Sequence, residues 1–188
     1  MDNISATPVQ PKPYRTYRYA GSAFAMVATP TDAIVIAGSA RSITRIKRVA
    51  ISGAATAAGT MPILLIKRST AGSLGSAVLT AVTPAKHDSE FEAPHGSVST
   101  VGTANYTTVG TTAGNLGASR LCMTALATGV GVQPVVWDFS TRFDHPVILR
   151  GVAELVCVNF AGAAIPSGGV IDYEIELEEV LLNYTVAA

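Results

Sequence analysis

Toward the end of the chain, Ile171, Tyr173, Ile175 and Leu177 alternate with Asp172, Glu174, Glu176 and Glu178. A period of two over four repeats is the mark of a strand with one apolar and one acidic face, whereas a helix would scatter those carboxylates around its circumference. Elsewhere the apolar residues come in short Val-, Ile- and Thr-rich runs, punctuated by Gly, Pro, Ser and Asn. These runs predict strands at 33–37, 43–52, 61–69, 78–83, 119–126, 133–139, 147–150, 154–160 and 170–178. No segment carries a convincing helical period. The run Ile63-Leu64-Leu65-Ile66 is apolar on both faces and is expected to be central and covered on both sides. Val156, Val158 and Phe160 share one face of their segment, and Leu155 and Cys157 the other.

Nine short strands without a helix predict an all-β fold, a sandwich or barrel, over residues 21–180. Residues 1–20 read as an extended N-terminal arm, because Pro8, Pro11 and Pro13 oppose helix and favour extended chain. The arm ends in Tyr14-Arg15-Thr16-Tyr17-Arg18-Tyr19, a composition suited either to an interface anchor or to a first strand packed on its own domain. The segment 98–117 is mostly Thr, Gly, Ala and Ser. With 86–96 before it, this stretch is expected to be loop and the most variable outer surface. The tail 181–188 is apolar at Leu181, Leu182 and Tyr184, and such a tail must pack on its own sheet or on a neighbour.

Composition sharpens the picture. Only 14% of residues are charged, against about 25% in an average soluble domain. A surface so poor in charge is expected to be partly covered by other subunits. Tyr14, Arg15, Tyr17, Arg18, Tyr19, Leu181, Leu182 and Tyr184 are the candidate interface residues. The net charge is zero, which leaves no footprint for nucleic acid. Arg41, Arg45, Lys47 and Arg48 cluster, and a solvated or interface strand face is the expectation for them. Arg45, Lys47 or Arg48 on a neighbouring strand would compensate the four carboxylates of 172–178. No apolar run approaches the ~20 residues of a membrane helix. The N-terminus lacks a basic region followed by an apolar stretch, so synthesis in a cytoplasm is expected. Cys122 and Cys157 fit no CxxC spacing and are expected to be free buried thiols rather than a disulfide.

Catalytic and metal chemistry finds little purchase. His87, Asp88, Glu90, Glu92 and His95 include plausible ligands, but their spacing matches neither a zinc site nor a calcium loop, and a polar loop is expected. No serine sits in a Gly-x-Ser-x-Gly elbow. Gly72-Ser73-Leu74-Gly75-Ser76 precedes no helix and is a turn rather than a phosphate loop. Glu90, Glu92 and Asp138 are the carboxylates from which a glycosidase pair would have to come. Trp137 is expected to pack in the core or between strands, with a carbohydrate platform as the other option. No enzyme activity, cofactor or metal is expected.

The segments Ile46-Lys47-Arg48-Val49-Ala50-Ile51-Ser52-Gly53, Leu65-Ile66-Lys67-Arg68-Ser69-Thr70, Val135-Val136-Trp137-Asp138-Phe139 and Pro146-Val147-Ile148-Leu149-Arg150-Gly151 together resemble jelly-roll-like virion proteins of tailed bacteriophages. The resemblance lies in strand texture and order over about residues 40–178 and carries no functional motif. It implies a two-sheet antiparallel β-sandwich, jelly-roll-like, on the particle surface, acting as a homo-oligomer, commonly a trimer. It further implies a major capsid protein or another virion protein as partner, and a capsid decoration or cement role. The alternative it implies is a tail-associated protein that binds a host glycan or surface through 86–117.

Overall fold

A computed structural model describes residues 14–102, 104–125, 132–140 and 145–182, and every helix or strand among them is a strand. In chain order these are β1 (Tyr14–Ala25), β2 (Asp32–Ala37), β3 (Ser42–Ala55), β4 (Gly59–Arg68), β5 (Leu79–Ala81) and β6 (Ala85–Lys86). Then come β7 (Ser97–Val101), β8 (Thr112–Ala125), β9 (Val135–Asp138), β10 (Val147–Arg150), β11 (Leu155–Asn159) and β12 (Val170–Leu181). Each of the nine runs read from the sequence contains a strand. The all-β expectation therefore holds.

The strands form one curled mixed sheet in the order β5-β7-β2-β11-β4-β8-β3-β12-β1-β6, with β9 and β10 also paired to β3. The expectation of a purely antiparallel arrangement needs correction. β8 pairs antiparallel with β4 (Gly59↔Met123), and its end lies parallel to β3 (Ala54↔Thr124). The reason is topological. β3 and β4 are consecutive and run in opposite directions, so a strand inserted between them must be parallel to one of the two.

The curl follows from connectivity. β5 and β6 stand at opposite ends of the strand order, yet Ala81 and Ala85 are four Cα steps apart, at most about 15 Å. The two ends of the sheet must therefore meet. The Tyr19 hydroxyl of β1 donates to Gly96 O, next to β7, at 3.4 Å across this seam.

Curling puts the inner faces around one core. Tyr17 and Tyr19 of β1, Ile46, Val49 and Ile51 of β3, Met61, Ile63 and Leu65 of β4, and Ile171, Ile175 and Leu177 of β12 belong to it. Burial of such side chains contributes about 1.5–3 kcal/mol each before entropic costs. The other face of β2 and β11 is covered too. Val35, Leu155 and Cys157 pack there with Ala77, Leu74 and Tyr106. Hence all five residues of β11 are buried, and in the doubly apolar run 63–66 Ile63, Leu65 and Ile66 are buried and Leu64 half-buried.

Two boundaries move. Residues 14–20, read as the end of an arm, belong to β1, which pairs with β12 from Tyr14↔Val180 to Gly21↔Tyr173. Of the two readings of Tyr14–Tyr19, the first strand of the chain's own domain is the one found; residues 1–13 lie outside the described residues. The expected loop 98–117 also contains strand, β7 and the first half of β8. Small side chains are weak strand formers in isolation, but pairing along β2 and β4 supplies what propensity lacks.

Candidate functional site

The acidic face of β12 is the first candidate, and it turns out to be neutralised from both sides. On β3, Arg45 Nη1 lies 3.1 Å from Glu178 Oε2 and Arg48 Nη1 2.5 Å from Glu174 Oε1. On β1, Arg18 Nη2 lies 3.3 Å from Glu176 Oε2. The Arg45 guanidinium also sits 5.3 Å from the centroid of the Tyr14 ring. Asp172 takes another partner, accepting from the Ala23 N–H at 2.8 Å where β1 bulges. The compensation expected of Arg45 and Arg48 is therefore present, and Arg18 joins it. Three arginines and three glutamates form a ladder over three strands. Replacing Arg45 with Glu sets two carboxylates opposite each other and is expected to cost about 1 kcal/mol, read as a fall of about 2–4 °C in melting temperature.

The candidate interface residues divide. Tyr17 and Tyr19 are 0% and 1% exposed and belong to the chain's own core. Their hydroxyls donate to Glu92 O at 2.8 Å and Gly96 O at 3.4 Å, and burial raises the Tyr19 hydroxyl far above an ordinary phenol. Arg18 belongs to the ladder. Arg15 pairs with Glu92 at 2.8 Å, a hydrogen bond that holds the Glu92 carboxyl below its usual range. Tyr14 and Leu182 stay exposed, at 41% and 52%, with Leu181 half-buried between β3 and solvent. They form one corner, where Tyr14 pairs with Val180 and Leu182 N–H donates to Arg41 O at 3.1 Å. Tyr184 lies outside the described residues.

The segment 86–96 is tied to the domain rather than loose. Glu179 of β12 points inward, is 1% exposed, and accepts from the backbone N–H of His95 at 2.9 Å and of Gly96 at 2.5 Å. Position 96 requires glycine, since a Cβ would lie 2.7 Å from Thr44 Oγ1 and 2.9 Å from Ala37 O. Among the described residues, no group of three or more His, Cys, Asp or Glu is arranged to hold a metal ion. The three carboxylates considered for glycoside cleavage do not form a pair. Glu92 is tied to β1, Glu90 lies in the same loop, and Asp138 sits on β9, with β12 and β3 between. Asp138 instead accepts from Ser140 N at 2.8 Å and Ser140 Oγ at 2.6 Å.

Trp137 lies opposite Val49 and packs partly buried against the main core, as expected of it. Its indole rests on Gly117 of β8, where any Cβ would collide with Nε1. Between β8 and β9 opens a cleft of about 440 Å³, lined by Ser119, Arg120, Cys122, Gln133, Val136 and Trp137 among others.

No family model matches the chain, and neither a curated protein nor a solved structure matches it.

A buried polar cluster escaped the sequence reading. Arg68 Nε and Nη2 each lie 2.7 Å from a different oxygen of Asp32, and Nη1 donates to Gly110 O at 2.8 Å and Thr112 Oγ1 at 3.0 Å. Asn159 Nδ2 donates to Asp32 Oδ1 at 2.6 Å. Asp32, Arg68 and Asn159 are 3%, 2% and 6% exposed, so the cluster joins β2, β4 and β11 from within. Cys157 lies beside it, its thiol pushed far up by burial and by the Asp32 charge. Cys122 corrects the expectation of two buried thiols. Leu121 and Met123 take the inward positions of β8, which leaves Cys122 exposed. Alkylation of the native protein with a maleimide is expected to label Cys122 rapidly and Cys157 only after unfolding; equal labelling by mass spectrometry would contradict the placement.

Proposed function

We propose that this chain is a structural virion protein that binds the capsid surface as an oligomer, most simply a trimer, and decorates or cements it. In this reading the curled sheet is a jelly-roll-like sandwich of two packed layers. Its localisation is the particle surface, after synthesis in the host cytoplasm, and its partners are copies of itself and the major capsid protein. The observation that carries the reading is the corner formed by exposed Tyr14 and Leu182 with Leu181 between them. The described residues begin and end at that corner, and its exposed apolar side chains are ones that a neighbour would cover. The rest of the outer face of β1, β12 and β3 supports it, because its charges are already spent on one another. A surface of that kind gains little from solvent and loses little on docking. Catalysis finds less support: the carboxylates and histidines considered for it are committed to loops and pairs, and no group of them converges in the 440 Å³ cleft.

The test is attachment to particles that lack the protein. The full chain is expected to sediment as a multiple of its 19.3 kDa mass and to co-sediment with such particles. Because β1 begins at Tyr14, the truncation must stop at residue 13. That variant is expected to keep its β circular dichroism and lose attachment. A full chain that is monomeric and indifferent to particles overturns the reading, and adsorption to host cells or glycans in its place moves the protein to the tail.

A further inference from the structure

We propose that the outer face of β9, β3, β12 and β1 is a docking surface, and that its occupant is the same face of a second copy of this chain. The register of the sheet sets four charged residues level with one another on neighbouring strands. Asp138 of β9 pairs with Arg48 of β3, Arg48 with Glu176 of β12, and Glu176 with Arg18 of β1. Directly paired residues share a face of the sheet, so this row alternates negative, positive, negative, positive. On one side of the row Arg45 is level with Glu178. On the other, Val136, Ala50, Glu174 and Ala20 are level across the same four strands. The face is open among the described residues: Val136 is 42% exposed, and Ala20 and Ala50 help to line a hollow of about 310 Å³.

Charge selects both the occupant and the symmetry. Give a second copy half a turn about an axis parallel to the strands, midway between β3 and β12. The turn reverses the order of the strands and keeps every residue at its level, so β9 lies over β1 and β3 over β12. Each charge of the alternating row then meets its opposite. Asp138 faces Arg18 of the second copy and Arg48 faces Glu176, and each contact occurs twice, as an isologous interface requires. One level along, Arg45 faces Glu178. On the other side, Val136 enters the hollow over Ala20, a larger side chain against a small one. Glu174 lies over Ala50 and leans away toward Arg48 and Arg18. An axis across the strands would instead set Arg48 on Arg45 and Glu176 on Glu178, like against like. Four strands about 4.8 Å apart over ten residues cover about 600 Å² on each copy, or about 1,200 Å² for the pair, the lower bound of a specific interface. The ion pairs fix the partner and the register more than they add affinity. The inference goes beyond the proposed function, since a two-fold contact here and a three-fold contact at the Tyr14 corner are compatible in one assembly.

The test is a charge exchange between two full-length variants, in the absence of particles. Asp138→Lys sets a positive charge against Arg18 of the other copy, and Arg18→Glu sets a negative charge against Asp138. Each variant alone is expected to pair at least ten-fold more weakly than the parent, read by sedimentation equilibrium as half the parent's mass. Mixed in equal amounts, the two variants match each other at both contacts, and the parent's mass is expected to return. The chain carrying both substitutions matches itself and is expected to pair as well. Circular dichroism checks folding; where a reversal unfolds the chain, Asp138→Asn or Arg18→Gln takes its place and is expected to weaken pairing several-fold. A parent that is monomeric or purely trimeric, variants that keep the parent's mass, or folded charge-reversed variants whose mixture stays at half mass would each overturn the pairing. Particle attachment is measured separately. Variants that no longer pair but still attach leave the capsid role standing, and a parent that pairs without attaching removes that role alone.

Discussion

Replacing Arg68 with methionine is expected to cost about 3–5 kcal/mol of folding free energy, a large share of the ~5–15 kcal/mol that a domain has in total. Methionine fills much of the same space, so the loss is electrostatic rather than a cavity. Asp32 would keep the Asn159 amide at 2.6 Å and would bury a charge with no counter-ion. Gly110 O and Thr112 Oγ1 would lose their donor as well. The pair itself is a different matter. Two charges lifted out of water recover little beyond their desolvation, so Asp32→Leu combined with Arg68→Met is expected to recover most of the loss. Urea denaturation of the two single variants and the double variant measures this. A single variant within about 1 kcal/mol of the parent would mean that water reaches the cluster and that its burial is wrongly assigned.

Removing the Glu179 carboxylate is expected to be nearly as costly and to act elsewhere. Each hydrogen bond to a charged group contributes about 1.5–3 kcal/mol. Glu179→Ala abolishes two, to the N–H groups of His95 and Gly96, for about 3–5 kcal/mol in all. The change should be local first. The segment 92–98 would lose its anchor on β12, and with it the seam between the two ends of the sheet. Amide hydrogen exchange is expected to accelerate at 92–98 well before it does in β3 and β12. Glu179→Gln keeps one acceptor oxygen and should fall between. Uniform exchange across the domain would show that Glu179 holds the whole core rather than the seam.

The parts of this molecule that were legible in the sequence are those where one side of a strand meets oil and the other water. The alternation at 171–178 predicted β12 and its inner face, and the basic cluster at 41–48 pointed to Arg45 and Arg48 but not to Arg18 among the arginines that neutralise its outer face. The alternation stopped one residue early. Continued by one step, the same period puts Glu179 inward, a carboxylate where Leu177 and Ile175 suggest another apolar side chain. That break in type was the available signal for the seam. Arg68 is similar, since it follows the buried run of β4 and looks like a strand-end charge until Asp32 meets it from another strand. The partner was not legible because it lies 36 positions away. The segment 98–117 was misread because Thr, Ser, Gly and Ala say little about themselves; only pairing decides whether they form strand. Tyr14-Arg15-Thr16-Tyr17-Arg18-Tyr19 was ambiguous because large side chains suit a core and an interface alike. The tie was broken by the distant strand β12.

That pairing of the first strand with the last sets an order of events during synthesis. β1 at Tyr14–Ala25 meets its long partner only in β12 at Val170–Leu181, β6 matching it over just two residues, and β3 also waits for β12 along nearly its whole length. The two long ladders of β12, with β1 and with β3, cannot form until residues 170–181 have left the ribosome. Contacts of such sequence separation fold slowly and leave unpaired edges exposed meanwhile. The chain is therefore expected to mature after release rather than during translation, with its yield in the cell sensitive to chaperone supply.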